Sequence, residues 1–299
     1  METIGRPMST IHFVIITAIA AIFSLAPTGG ASAEVLKPFK DDLFSRQTVL
    51  ESRDNGAFET IDYQEMRDIN GRDQVPERRV RQAYISLGIR RQQDEESLML
   101  GDRRLDVVRA GPAQNAAFTV IFIHGRNGDR RLGANDYTFG GNFNRLKNLV
   151  VQNGGTYYSP TIKTFDSDGV ASIAALIRYA SNQSQGRPVV LSCASMGTFI
   201  CWGITRDAES VKRLKGMLVM SGTADPDFRK SPFYKAKLPL WFVHGSLDPV
   251  YAAADQEAFF EKLYKGGYPT RFTLFATGNH GTPIRMTDWR KVLNWILAS

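Results

Sequence analysis

Val189-Val190-Leu191-Ser192-Cys193-Ala194-Ser195-Met196-Gly197 is the stretch that decides the fold of this chain, and the apolar segment 198–204 follows it directly. An apolar run, a short turn and a second apolar segment are typical of a strand, a sharp turn and a helix. Ser195 lies in the turn, two residues after Cys193 and two before Gly197. We therefore predict that the turn raises the Ser195 hydroxyl above a sheet edge, beside a helix N-terminus that favours negative charge.

The spacing around Ser195 is that of a nucleophile elbow, a strained Gly-x-Ser-x-Gly turn whose flanking residues must be small. Gly197 fits this pattern, whereas Cys193 replaces the first glycine. A serine near a single glycine is otherwise an ordinary turn, so the hypothesis depends on partners elsewhere in the chain.

Strand and helix candidates alternate on both sides of this turn. The strand candidates are apolar without alternation, as expected for a parallel sheet that helices cover on both faces. We predict an α/β domain that begins with a hairpin at 98–100 and 105–108. The further strands are predicted at 118–123, 155–159, 189–191, 216–220, 240–243 and 271–275, and the helices near 143–151, 170–181, 198–204, 252–264 and 289–297.

The first 33 residues have the features of a cleavable secretory signal. Arg6 precedes an apolar stretch at 11–26, and the small residues Ala31-Ser32-Ala33 follow it. An uncleaved membrane anchor is the alternative, but the apolar stretch is short for a membrane span. We expect export to the periplasm or the medium, with cleavage near Ala33 and no stable membrane anchor afterwards.

The remaining residues are divided into two predicted parts. Residues 34–91 are polar and arginine-rich, with strand candidates at 58–63 and 80–89, and are interpreted as an N-terminal extension packed on the catalytic domain at 92–299.

The formal net charge of +7 would suggest a nucleic-acid partner for a cytosolic protein. Export argues against that partner, and an arginine excess on a solvated surface explains the charge. Nothing in the sequence indicates an oligomeric state.

Two cysteines are present, Cys193 and Cys201. A bond between them would join a strand end to a site more than one turn into the next helix, roughly 9 Å or more along the helix axis. Because this exceeds the usual bridging distance, we expect two buried thiols. Neither cysteine has metal-ligand spacing with a histidine, so no metal site is predicted.

A serine nucleophile needs a histidine base, and a carboxylate must orient that histidine. Of the four histidines, His12 lies in the signal, and His124 and His244 each end a predicted strand before a glycine. His280 follows the last predicted strand, in a loop that can carry its imidazole back over the sheet edge. We therefore predict that His280 is the base for Ser195.

The carboxylate is expected at the end of a strand between the nucleophile and the histidine. Asp248 follows the strand candidate 240–243, and the order Ser195, Asp248, His280 leaves room for strand–helix units between the members. Asp225, after the preceding strand, is the competing acid. We favour Asp248 because of its loop position.

Backbone N–H groups are expected to bind the oxyanion of an acyl intermediate. The elbow provides the N–H of Met196. The loop after the first long strand, which begins His124-Gly125, provides the N–H of Arg126, with Asn127 as the next choice. His124 itself is expected to anchor this loop by hydrogen bonds.

In this combination of motifs, residues 98–299 resemble a serine hydrolase of the α/β-hydrolase superfamily. The resemblance is carried by His124-Gly125, the elbow at Ser195, the segment His-Gly-Ser-Leu-Asp that ends at Asp248, and Asn-His-Gly around His280. It implies the α/β-hydrolase fold and an acyl-enzyme mechanism on Ser195, His280 and Asp248, without metal or cofactor. Carboxylesterase-like and dienelactone-hydrolase-like members are similar, although the latter use cysteine in place of Ser195.

The substrate is expected to be a small ester or other acyl compound. Only residues 221–239 separate two strands between which many members insert a lid, so no large cap domain is predicted. An aromatic and cationic rim would favour acidic groups, but we favour the interpretation of an ordinary solvated loop. The possible rim residues are Asn127, Arg130, Tyr137 and Phe139.

We favour ester hydrolysis because it is the least demanding chemistry of this machinery. An amidase or peptidase and an acyltransferase with the same triad are alternatives within the enzyme class. A non-catalytic binding protein of the same fold is the alternative from a different class.

Overall fold

A computed structural model describes residues 1–3, 5, 36–75 and 78–299. The apolar stretch 11–26 and the cleavage site predicted near Ala33 lie outside the described residues, so signal cleavage and export stay predictions. Among the described residues, no helix combines the length and the apolarity that crossing a bilayer requires.

Strands and helices alternate through most of the described chain. The strands are β1 (Val49–Arg53), β2 (Phe58–Ile61), β3 (Asp73–Gln74), β4 (Arg79–Val80), β5 (Gln93–Leu100), β6 (Arg103–Ala110), β7 (Thr119–Ile123), β8 (Thr156–Pro160), β9 (Val189–Ala194), β10 (Leu214–Met220), β11 (Leu240–Gly245) and β12 (Thr270–Phe275). The helices are α1 (Asp41–Phe44), α2 (Glu65–Arg72), α3 (Arg130–Ala134), α4 (Asn142–Gln152), α5 (Ser167–Gln183), α6 (Gly197–Ile204), α7 (Ala208–Val211), α8 (Pro232–Lys235), α9 (Ala253–Lys265), α10 (Thr282–Met286) and α11 (Trp289–Ala298).

Ten of these strands form one sheet in the order β1-β2-β12-β11-β10-β9-β7-β8-β6-β5, and β3 pairs with β4 separately. The strands from β2 to β8 in this order are parallel, and β1, β6 and β5 are antiparallel to their neighbours. Alternate residues of the central strands enter two separate apolar cores, one against α5, α6 and α9 and the other against α4 and α11. The predicted mostly parallel sheet with helices on both faces is confirmed, and no large cap is inserted between β10 and β11.

The segment before the hairpin differs in part from its prediction. The strand expected at 80–89 is wrong: β4 ends at Val80, and short 3-10 helices follow at Gln82–Tyr84 and Gly88–Gln92. The apolar residues Val80, Ile85 and Ile89 are buried without forming a regular strand. In contrast, β2 pairs in parallel with β12, so this segment extends the central sheet. A boundary between an extension and a catalytic domain at residues 91 and 92 stays a prediction.

Cys193 and Cys201 form a disulfide, which corrects the expectation of two thiols. Their Cα atoms are 6.3 Å apart, within the bridging range. The estimate from helical rise is wrong because α6 folds back over β9 after the turn, on the face to which Cys193 points. Both residues are fully buried in the same core.

Candidate active site

Ser195 occupies the turn between β9 and α6 with a φ of 54°, in the left-handed region that is strained for a serine. Its backbone N–H donates to the carbonyl of Met220 at 3.0 Å, which ties the turn to the next strand. A Cβ at Gly197 would lie 2.6 Å from the carbonyl oxygen of His124, so this position requires glycine. At Cys193, the space beside the strand is taken by the bonded sulfur of Cys201.

The structure brings Ser195, His280 and Asp248 together at the carboxyl ends of β9, β11 and β12. The Nε2 atom of His280 lies 2.9 Å from the Ser195 Oγ, and its Nδ1 atom lies 2.8 Å from the Asp248 Oδ2. Nδ1 therefore donates to the carboxylate, and Nε2 is free to accept the serine proton.

The Asp248 carboxylate is fixed by its own loop. Its Oδ1 accepts hydrogen bonds from the backbone N–H groups of Val250, at 2.8 Å, and Tyr251, at 3.2 Å. Burial opposes ionisation of Asp248, but hydrogen bonds from His244, from His280 and from the two backbone groups together hold its pKa well below the usual range. Asp248 is therefore an anion at any pH at which the protein would work.

Asp225, the competing acid, is engaged elsewhere. The Nη2 of Arg206 donates to both of its carboxylate oxygens, at 2.8 and 2.7 Å. The carboxylate that contacts His280 is that of Asp248.

The loop after β7 lies directly against Ser195. A Cβ at Gly125 would be 2.7 Å from the Cβ and 3.1 Å from the Oγ of Ser195, so only glycine allows this approach. The backbone N–H groups of Met196 and Arg126 form no hydrogen bond with another described group of the chain. Both are thus available as donors beside Ser195.

His124 anchors this loop, as its position at the strand end suggests. Its Nε2 atom accepts a hydrogen bond from the N–H of Ile162 at 3.0 Å, and its Nδ1 atom donates to the carbonyl of Gly125 at 2.7 Å. Burial lowers the pKa of His124 below its ordinary value, so the ring is neutral.

A cavity of about 470 Å³ opens above Ser195 and His280. It includes Asn127 and Phe139, two of the four expected rim residues, together with the backbone of Gly125 and Arg126. Its apolar side chains come from several different parts of the fold. They include Leu132, Phe139, Ala194, Met196, Met220, Val250, Tyr251 and Ile284.

The other two expected rim residues lie outside this cavity. Arg130 is held by Glu95, to which its Nη2 atom donates at 2.7 Å. Tyr137 stacks under the guanidinium of Arg79, whose Cζ atom is 3.5 Å from the ring centroid. Glu95 can bind Arg130 because β5 lies beside this segment. The sequence pattern does not indicate that position of β5.

Several cavity residues were not predicted from the sequence. Tyr251 and Val250 follow Asp248 so closely that the position of the acid is itself a signal for them. Leu132 and Ile284 carry no such signal, because α3 and α10 are short helices without a regular apolar period.

No protein-family model and no curated protein matches the sequence. Solved structures of similar fold include a thermostable esterase, with 14% identity, a TM-score of 0.54 and coverage of 70% of this chain and 63% of that chain. They also include an esterase of Pyrococcus furiosus, with 15% identity, a TM-score of 0.51 and coverage of 69% and 90%. Dienelactone hydrolase from Anabaena variabilis matches with 18% identity, a TM-score of 0.50 and coverage of 68% and 96%.

The matched part thus spans less than two thirds of the thermostable esterase. At these low identities the similarity shows the fold alone. The chain has the α/β-hydrolase fold, as the motifs around Ser195, Asp248 and His280 predict.

Proposed function

We propose that this protein is an exported serine hydrolase that cleaves carboxylic esters through an acyl-enzyme. The observation that carries the proposal is the chain of hydrogen bonds from Ser195 through His280 to Asp248, placed on a strained turn at the edge of the sheet. Strain and aligned acid–base groups tend to occur together at functional sites.

In the proposed acylation, the Nε2 of His280 takes the proton of Ser195 while the Oγ forms a bond to the ester carbonyl carbon. The carbonyl oxygen becomes an oxyanion that accepts hydrogen bonds from the N–H groups of Met196 and Arg126. Asp248 stabilises the imidazolium of His280 and keeps its ring in place. His280 then gives the proton to the alkoxide, the carbon–oxygen bond of the ester breaks, and the alcohol leaves.

Deacylation uses the same groups with water as the nucleophile. His280 takes a proton from the water, whose oxygen attacks the acyl carbon. The collapse of the second oxyanion breaks the bond to Ser195, and His280 returns the proton to the Oγ. The products are a carboxylic acid and the regenerated enzyme.

The cavity supports a small and largely apolar acyl or alcohol group. Its volume of about 470 Å³ and its lining of Leu132, Phe139 and Met220 suit a short acyl chain better than a peptide or polymer. The similarity in fold to two esterases supports ester hydrolysis as the reaction.

Export is supported by two independent features. The stretch 11–26 with Ala33 has the pattern of a cleavable signal. The disulfide between Cys193 and Cys201 suits an oxidising compartment. Expression of the full chain with a mass measurement of the periplasmic fraction tests this: we expect a protein that begins at Glu34, and a full-length product retained in the membrane would contradict it.

A fluorophosphonate probe tests the catalytic proposal. We expect the wild-type protein to be labelled and to hydrolyse p-nitrophenyl butyrate, and Ser195→Ala to lose labelling and at least about 10⁴-fold in kcat. Ser221→Ala is the matched control, because Ser221 lies in the same cavity and has a buried hydroxyl. Equal labelling of wild type and Ser195→Ala would refute the serine mechanism.

A further inference from the structure

His244 is a second histidine in contact with the carboxylate of Asp248. It is the last residue but one of β11 and is fully buried. Its Nε2 atom lies 3.2 Å from the Asp248 Oδ2, the oxygen that also accepts the hydrogen bond from His280. The two imidazoles therefore share one carboxylate oxygen.

The Nδ1 atom of His244 must carry a proton. It lies 2.7 Å from the Oε1 of Gln256. The orientation of this amide is fixed, since its Nε2 donates to the carbonyl of Gly222 at 3.0 Å and a carbonyl can only accept. The oxygen of Gln256 thus faces the ring, and only an N–H on Nδ1 completes the pair.

The Nε2 atom of His244 must carry a proton as well. Besides Asp248, it faces the backbone carbonyl of Tyr251 at 3.0 Å. Both neighbours are acceptors, so an unprotonated Nε2 would place its lone pair against two oxygens in a site closed to water. A shared N–H satisfies both.

We propose that His244 is a doubly protonated, cationic positioning residue that holds the Asp248 carboxylate against His280. The inference rests on the proposed function, in which His280 is the base. His244 does not line the cavity above Ser195 and acts only through Asp248.

His124 provides the contrast within the same protein. It is equally buried, but one of its ring nitrogens accepts a hydrogen bond from the N–H of Ile162, so that ring is neutral. The ring nitrogens of His244 face only acceptors, which favour a proton on both nitrogens. Burial alone would lower the pKa of His244, but Asp248 and Gln256 outweigh burial and raise it.

The charge of His244 has a consequence for the base. The Nε2 of His244 and the Nδ1 of His280 are at most about 6 Å apart, because both contact the same oxygen. A fixed positive charge at this distance disfavours a second positive charge on the triad.

The other ionisable groups near this pair are few. Tyr251 lies with its ring centroid 5.9 Å from that of His280, and Arg126 acts on Tyr251 from the loop after β7. Glu65 reaches Asn279, next to His280, from α2. The phenol of Tyr251 and the side chains of Arg126 and Glu65 all lie outside the set of hydrogen bonds that fixes His244, to which Tyr251 contributes only its backbone carbonyl.

Nitrogen NMR of the resting protein tests the protonation state independently of any activity. At pH 8, above the ordinary histidine pKa of about 6.5, we expect both ring nitrogens of His244 to resonate as N–H, and His124 to show one N–H and one bare nitrogen. The His244 signals are assigned by their loss in His244→Gln or, if that variant does not fold, by elimination with His12→Gln, His124→Gln and His280→Gln. A bare nitrogen on His244 would overturn the proposal.

The pH profile of ester hydrolysis tests the effect on His280. In His244→Gln the amide can still donate to Asp248, but the charge is gone. We expect the acidic limb of kcat/KM to move upward, because a positive charge beside the triad is removed. Trp241→Phe, also in β11 and distant from the carboxylate, should leave the limb in place. A lower kcat with an unshifted limb in His244→Gln would reduce His244 to a structural residue and contradict the proposal, whereas inactivity of the wild type towards every ester would count against the proposed function alone.

Discussion

Cys193 and Cys201 are bonded across the turn that carries Ser195, so the strand before this serine and the helix after it are covalently joined. The two cysteines are separated by 8 positions in the sequence, so the bond closes a short loop around the turn. It thereby stabilises the turn in which Ser195 is held at a φ of 54°. The cysteine that replaces the first glycine of the elbow is one half of this bond.

Removal of the disulfide should destabilise the protein. For a loop of this length, loop-closure entropy predicts that Cys193→Ala/Cys201→Ala loses about 2.5 kcal/mol of unfolding free energy. For a protein of this size that corresponds to a fall in Tm of roughly 5–10 °C. Thermal unfolding followed by circular dichroism measures it; the control is native wild type that is treated with dithiothreitol and freed of it before heating. Because both sulfurs are buried, the reductant alone should leave Tm nearly unchanged; an unchanged Tm in the double variant would contradict the prediction.

Loss of the Asp248 carboxylate should cost most of the activity. Asp248→Asn keeps the size of the side chain but presents the wrong partner to His280, and we expect kcat to fall by about 10⁴-fold. Asp225→Asn is the matched control, since Asp225 is bound to Arg206 and should retain the kcat of the wild type. Steady-state kinetics with p-nitrophenyl butyrate compares the two, and the reverse order of their effects would transfer the acid role to Asp225.

A methyl group at Gly125 should block the site without unfolding the protein. It would lie 2.7 Å from the Cβ of Ser195, so Gly125→Ala must displace either the nucleophile or the loop that carries the Arg126 N–H. We expect kcat/KM to fall by about 10²-fold or more, as when one oxyanion donor is lost. Gly88→Ala, where a Cβ meets only the Ser86 Oγ at 4.0 Å, should be silent. Near-normal activity of Gly125→Ala would show that this loop does not contribute to the site.

His124 should make the protein less stable in acid. Its pKa is lowered by burial in the folded state, so the unfolded chain binds a proton more readily as the pH falls below about 6.5. Its neutral form therefore gives full stability above that pH, and stability declines progressively below it. Urea unfolding at pH 8 and pH 5 should show a larger loss for wild type than for His124→Gln. Equal losses would mean that His124 titrates normally in the folded protein.

Much of the fold and of the candidate site is predictable because it depends on short-range pattern. Apolar runs such as 189–191 and 240–243 identify buried parallel strands, and parallel strands carry their following loops to one sheet edge. That rule alone places Ser195, Asp248 and His280 near one another before any coordinates are known.

The features that are not predictable depend on angles and on contacts between distant segments. The bond between Cys193 and Cys201 requires the direction in which α6 folds back over β9, which periodicity does not give. The sequence shows His244 only as a histidine at a strand end, since its acceptors come from the Tyr251 carbonyl and from Gln256 in α9. The sequence makes Arg130 a possible rim residue, but in the structure it pairs with Glu95 in β5. A contact between such distant segments is not visible in the sequence pattern.

The position of β2 limits how far this protein can be shortened. β2 pairs with β12, and the carbonyl of Ile61 accepts a hydrogen bond at 2.9 Å from the N–H of Ala276, just before the loop that holds His280. Without residues 49–61, β12 would become an open edge whose unpaired backbone groups can pair with another molecule. A truncated protein that starts after these strands would thus be prone to aggregation, and a shortened form suited to crystallisation or engineering should begin before Val49.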